Sequence, residues 1–167
     1  MQADTSPSWP ATPLRSRSPD AVGLALLAIG IGCVVAGGLV AAVTSPLTLA
    51  HGSWVAAYLV LVGGVGQCAM GTVRLLTSAP PETAALGWAQ VAAWNAGNAL
   101  VIAGTLVTLP FLVDVGGVGC VVALAIALLH ARRLPGTMTL WAYRAVLVVL
   151  LVSVPVGLAL AHLRAAS

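Results

Sequence analysis

Long apolar runs, broken only by short polar or proline-bearing joints, constrain this chain more than any other feature. A helix that crosses the hydrocarbon of a bilayer needs about 20 mostly apolar residues. Five segments meet that need: 21–43, 46–74, 86–108, 111–130 and 139–162. Only 7% of the residues are charged and 60% are hydrophobic, whereas a soluble domain carries roughly 25% charged residues. Mean hydropathy is +1.05. In lipid every backbone N–H and C=O must be paired within the protein, which leaves helices or closed barrels. Runs of this length select helices. The expected fold is all-α, a polytopic transmembrane bundle of five helices.

The joints carry recognisable stop signals. In the stretch 44–46, Ser45 can cap the second span and Pro46 can take its first helical position. The SAPPE stretch at 78–82 cannot continue a helix. Pro110 parts the third and fourth spans so briefly that they should be antiparallel neighbours, and RRLPGT at 132–137 parts the fourth from the fifth. Residues 1–20, rich in Pro, Ser and Thr, read as a disordered cytoplasmic tail, and 164–167 as a short second tail. A basic patch ahead of an apolar run ending in AAVTS has the outline of a secretion signal. The run 21–43 outlasts the roughly 7–15 residues of a signal core, so it reads as a retained first span.

The basic residues are all arginine, and their placement sets orientation. Arg15, Arg17, Arg74, Arg132, Arg133 and Arg144 fall on one side if the N-terminus is cytoplasmic, and Arg164 alone falls on the other. The N-terminus is therefore expected inside and the C-terminus outside. Trp54, Trp88, Trp141 and Tyr143 fit interfacial aromatic belts. The lack of lysine and the abundance of Ala and Val suggest a GC-rich bacterial genome, hence a bacterial cytoplasmic membrane.

Lipid tails are as apolar as leucine, so helices associate in a bilayer by close packing through small residues. Glycines recur in the first and second spans. Ala93, Gly97 and Gly104 mark the third, and Gly119, Ala123 and Ala127 mark the fourth. Cys33, Cys68 and Cys120 lie in apolar runs with no CxxC or zinc-type spacing, and read as further small buried residues. Pro155 removes a hydrogen bond to the Leu151 carbonyl and should bend the fifth span, with Ser153 positioned to satisfy freed backbone. VLVGGVG at 60–66 is echoed by VDVGGVG at 113–119. This reads as coincidence in a Val/Gly-rich chain, with a duplicated unit as the alternative.

Polar groups at membrane depth point towards function. The interior amides are Gln67, Gln90, Asn95 and Asn98. At about 1.5 Å per residue, Gln67 falls between the depths of Gln90 and Asn95, so an amide bond between the second and third spans is expected, with a lining for a polar substrate as the rival role. Asp114 is expected at the outer mouth of the fourth span. His51, inside the helix expected to begin at Pro46, and His162, at the end of the fifth span, both fall at the outer level, whereas His130 falls at the inner one. Two imidazoles on different helices at one depth can clamp a haem, and Asp114 could orient one ring. The alternative is that both are ordinary interfacial residues.

The stretch AHGSWVAAYLVLVGGVGQ resembles the second helix of haem–copper oxidase subunit I and of its NnrS-type membrane relatives, where a His-Gly pair leads a long helix. GWAQVAAWNAGNALVIAG is similar to the helix that follows in that group. The resemblance implies that His51 binds low-spin haem. It spans little more than a third of the chain. The family's larger set of spans and its histidines for copper and a second haem have no counterpart here, so oxygen reduction is not implied. His162 as second ligand rests on depth alone.

Three functions stay open. The first is an accessory or structural subunit that acts by helix packing within a larger membrane complex or a homo-oligomer. The second is a haem b protein, with His51 and His162 as axial ligands, for electron transfer or haem handling. The third is a small transporter. No catalytic residues are read: GxSxG, the P-loop and HExxH are missing from the sequence. Basic arms suited to nucleic acid are missing too.

Overall fold

A computed structural model describes residues 20–77, 83–132, 134 and 138–165, with the side chains of the last helix described over 140–154. Residues 1–19 of the tail read as disordered, the SAPPE joint and most of RRLPGT lie outside the described residues; Asp20, the last residue of that tail, is instead the N-cap of α1. The elements are α1 (Ala21–Thr44), α2 (Gly52–Tyr58), a π-helical stretch (Leu59–Gly66), α3 (Gln67–Leu76), α4 (Ala84–Leu106), α5 (Pro110–Arg132) and α6 (Met138–Ala165). Because α2, the π stretch and α3 run on without a break, the described residues form five helical rods and no strand. Three rods are long and apolar enough to cross a membrane: 21–44, 52–76 and 110–132. The rod α4 carries Gln90, Asn95 and Asn98 besides two tryptophans.

The ends of α1 and α4 are built alike. Leu49 N–H donates to the Thr44 carbonyl at 3.0 Å and Thr48 N–H to the Ser45 carbonyl at 3.2 Å, with Thr48 in the left-handed region at φ 49°. Leu109 N–H donates to the Gly104 carbonyl at 2.8 Å and Thr108 N–H to the Thr105 carbonyl at 3.4 Å, with Thr108 at φ 55°. Both are Schellman closures, with threonine where glycine is usual. The first corrects the expected start of the second span. The chain is still winding out of α1 when it reaches Pro46, since Leu47 N–H bonds the Val43 carbonyl at 3.0 Å. The next helix begins only at Gly52, with His51 as its N-cap rather than an interior residue. Pro110, by contrast, does occupy the first position of α5, where its missing N–H costs nothing.

Each corner closes an antiparallel hairpin, and the two hairpins repeat in three dimensions. A Cβ on Gly37 would stand 2.9 Å from the Ala56 carbonyl oxygen and 3.1 Å from Val60 N; one on Gly97 would stand 2.7 Å from the Gly116 oxygen and 2.9 Å from Cys120 N. Thr44 meets Gly52 as Gly104 meets Leu112. All three contacts carry over with a shift of 60 positions. The VLVGGVG echo is seven positions out of step with this repeat, about two helical turns. The contacts and corners of the two hairpins therefore correspond at a shift of 60 positions, and the echoed strings do not.

The two most extensive packings are α1 on the rod of α2, the π stretch and α3, and α4 on α5. The α6 helix packs on α5, and α1 and the π stretch reach α4 to join the hairpins. The core runs through Leu26, Met70, Trp94, Cys120, Leu124 and Leu147. Asp20 caps α1 through its side chain. Arg144 holds the far end of α5, its Nη2 donating to the Ala131 carbonyl at 2.6 Å and to the Leu134 carbonyl at 3.0 Å. The rod α6 is continuous through Pro155. Ser153 Oγ donates to the Leu150 carbonyl at 2.9 Å, one residue before the carbonyl that Pro155 leaves unpaired.

Candidate functional site

Gln90, Trp94 and Asn98 recur at four-residue steps and so share one face of α4. On the facing rod, Gln67, Met70 and Arg74 share a face of α3 at steps of three and four. The two faces meet. Tyr58 Oη donates to Asn98 Oδ1 at 2.8 Å. Gly66 lies against the Trp94 ring: a Cβ there would stand 3.4 Å from Cζ2. Gln90 Nε2 donates to Met70 Sδ at 3.3 Å, and Arg74 Nη1 donates to Gln90 Oε1 at 2.9 Å. Arg74 Nε then donates to Asp20 Oδ2 at 3.2 Å. The result is a polar seam from Tyr58 to Asp20, between the first hairpin and the second. At α-helical rise, the distance from Tyr58 to Arg74 is up to about 24 Å, most of the hydrocarbon thickness of a bilayer.

The π stretch is what aligns this seam. Nine residues of regular α-helix would put Tyr58 and Gln67 on opposite faces. A π stretch, with roughly 4.4 residues per turn, brings both round to α4. Glycines at 63, 64 and 66 let the segment press against α1 and Trp94, since a Cβ on Gly64 would stand 2.5 Å from Val34 Cγ2.

The seam is enclosed. Gln67 is 0% exposed, Gln90 and Trp94 1% each, and Asn98 6%. The Arg74 side chain is buried while that of Asp20 is 38% exposed, so the ion pair between them runs from the interior to the rim. The expected Gln67 bond to the amides of the next span is not the bond that forms. Neither Gln67 Oε1 nor Nε2 has a hydrogen-bond partner, and neither does Trp94 Nε1. Gln90 is taken by Arg74 and Met70. Asn95 Nδ2 donates to the Val91 carbonyl at 2.8 Å and Asn98 Nδ2 to the Trp94 carbonyl at 2.7 Å, both within their own helix. Depth fixed the level of Gln67, but helix phase and the reach of Arg74 decided the pairing.

The expected haem residues are not assembled among the described side chains. His51 is exposed and makes no cap hydrogen bond with its ring. The second imidazole that a bis-histidine haem requires, that of His162, lies outside the described side chains. Asp114 is half-buried in the second turn of α5, and His130 is buried near its end. Among the described residues no group of three or more His, Cys, Asp or Glu could hold a metal ion. Sequence reasoning missed Tyr58, Met70, Arg74 and Trp94 as members of the seam, having read Arg74 only as an orientation signal. The four-residue spacing of Gln90, Trp94 and Asn98 was the signal available.

No family model, curated protein or solved structure matches this chain.

Proposed function

We propose that this chain is a multi-pass protein of the bacterial cytoplasmic membrane, with five spans, a cytoplasmic N-terminus and an external C-terminus. It acts as an accessory or structural subunit, packing its helices against a partner in a larger membrane complex or against a second copy. The three long apolar helices support the membrane setting. The orientation is supported by Arg74, Arg132 and Arg144, which gather at the end of the bundle where α1 begins, as the positive-inside rule requires.

The observation that carries the packing reading is the outer face of α1. Its best membrane window is only 17% buried within the chain. A Cβ on Gly32 or Gly38 would meet nothing within 4 Å, and Ile31, Val35 and Leu39 are exposed beside them. Small residues flanked by exposed apolar ones let another helix approach closely, the main source of affinity between helices in lipid.

Photo-crosslinking from position 39 in intact membranes tests this. The expected result is a cross-link to a second polypeptide that disappears in Gly38→Leu, with the monomer's unfolding midpoint not lowered. Adducts to lipid alone, in both proteins, refute it. A reduced-minus-oxidised haem band in the purified protein, lost in His51→Ala, would move the assignment to the haem b reading.

A further inference from the structure

Gln67 is the polar side chain this bundle serves least. It is fully enclosed, and both of its amide atoms lack a hydrogen-bond partner. The residue before it, Gly66, touches the Trp94 ring near Cζ2, a carbon on the same edge of the indole as Nε1. That Nε1 is also buried and unpartnered. Both groups lie at one level of the seam, bracketed by the Tyr58–Asn98 bond on one side and the Gln90–Met70 bond on the other. Buried amide and indole N–H groups are destabilising unless something supplies the complementary donors and acceptors.

Three considerations restrict what can supply them. The first is reach: these atoms are enclosed by the chain's own helices, so the surface of a partner subunit does not touch them. The second is charge. Arg74 lies seven residues along α3, about 10 Å away, and is bonded to Asp20 and Gln90. An ion at Gln67 would have no counter-charge beside it. The third is valence. Gln67 and Trp94 offer N–H donors and one carbonyl acceptor, which calls for a species with lone pairs to accept and a hydrogen to give.

The backbone marks the same level. The π stretch ends at Gly66, and π turns recur at functional sites. The level also lies on the contact between two repeated hairpins. In membrane transporters, interrupted helices at the interface between repeats line solute sites near the bilayer midplane.

We propose that Gln67 and Trp94 form a binding site, between the two hairpins, for a small uncharged molecule that both donates and accepts hydrogen bonds: water, or an amide or alcohol of similar size. The site gives the bundle a ligand of its own and does not depend on the helix-packing function.

X-ray hydroxyl-radical labelling of the full-length protein in nanodiscs, read by peptide mass spectrometry, tests it. A held water delivers label to Trp94 and Met70, each only 1% exposed, as well as to exposed Trp54. Gln67→Met removes donor and acceptor at similar shape. The expected result is loss of label at Trp94 and Met70 with Trp54 unchanged. Trp94→Phe provides a second variant, expected to lose the Met70 label. Added acetamide separates the sources. If acetamide enters, it suppresses labelling at Trp94 and Met70 more than at Trp54; if water alone occupies the site, all three fall in parallel. Unlabelled Trp94 and Met70 in the wild-type protein, with Gln67→Met melting at a higher temperature, would mean a bare unpaired amide and would overturn the proposal. So would labelling that persists unchanged in both variants.

Discussion

Alanine at Gly97 and alanine at Gly38 are the same chemical change in the middle of a helix, yet the structure gives them different outcomes. In a helix alanine is favoured over glycine by about 0.8–1.0 kcal/mol. At Gly38 a new Cβ would meet nothing within 4 Å, so Gly38→Ala should realise most of that gain. At Gly97 the Cβ would stand 2.7 Å from the Gly116 oxygen, 2.9 Å from Cys120 N and 3.0 Å from Cys120 Sγ. The first two are backbone atoms and cannot rotate away. Restoring an ordinary contact of about 3.5 Å means moving α4 and α5 apart by most of an ångström. A gap of about 0.5–1 Å forfeits a quarter to a half of the dispersion energy of the atoms facing it, and this is one of the two most extensive helix pairings in the bundle. Overpacking of this kind costs about 1–3 kcal/mol. The propensity gain is common to both variants and cancels in their difference. Gly97→Ala should therefore be about 1–3 kcal/mol less stable than Gly38→Ala. Equilibrium unfolding in mixed micelles, titrated with SDS and followed by far-UV circular dichroism, measures the difference directly. Gly116→Ala should behave like Gly97→Ala, and the double variant should fall short of the sum, because one separation relieves both clashes. Equal stabilities for the Gly38 and Gly97 variants, or the reverse order, would refute the claim that backbone contact holds this hairpin together.

The same titration checks three further expectations. Tyr58→Phe removes the hydroxyl that donates to Asn98 and should cost about 0.6–1.7 kcal/mol, the range for interhelical hydrogen bonds in membrane proteins; a silent substitution would show that the seam is not closed there. Arg74→Met leaves the buried Gln90 carbonyl oxygen without its donor, while Asp20, at the rim, is resolvated; it should cost about 1–3 kcal/mol, the range for an orphaned buried acceptor. Asp20→Asn keeps the cap and exposes little, so its loss should stay below about 1 kcal/mol, and losses of equal size would refute the assignment of Arg74 as the interior partner. Thr48→Gly and Thr108→Gly relieve a β-branched residue held at positive φ. Each should stabilise the protein by about 1 kcal/mol, the two adding independently; a loss of stability at either would show that the side chain matters more than the strain.

Much of the architecture could be read along the chain. The rods lie within a few residues of the expected spans, except where the second begins. There the expectation followed Pro46 as a helix start, while the chain used Thr48 in a left-handed corner. Threonine carries no signal for that conformation, as glycine would, so the corner and its twin at Thr108 were hidden. The level of Gln67 was legible from the rise per residue, but its partner was not. Pairing depends on the angle at which a side chain leaves the helix, and the π stretch resets that angle halfway along the rod. Nothing in LVLVGGVG distinguishes a π turn from an α turn in isolation, because what favours it is the press of α1 and Trp94 against three glycines.

Length, hydropathy and the placement of proline and arginine are properties of the chain taken one residue after another. They were enough to determine an all-helical protein with long apolar rods, with Arg74, Arg132 and Arg144 towards one end. Which glycine touches a neighbour and which faces open space, which amide is bonded and which is not, and which way Gln67 points depend on residues far away in the sequence. Gly38 and Gly97 are both glycines in the interior of a helix, and only the approach of α5 makes one of them costly to replace.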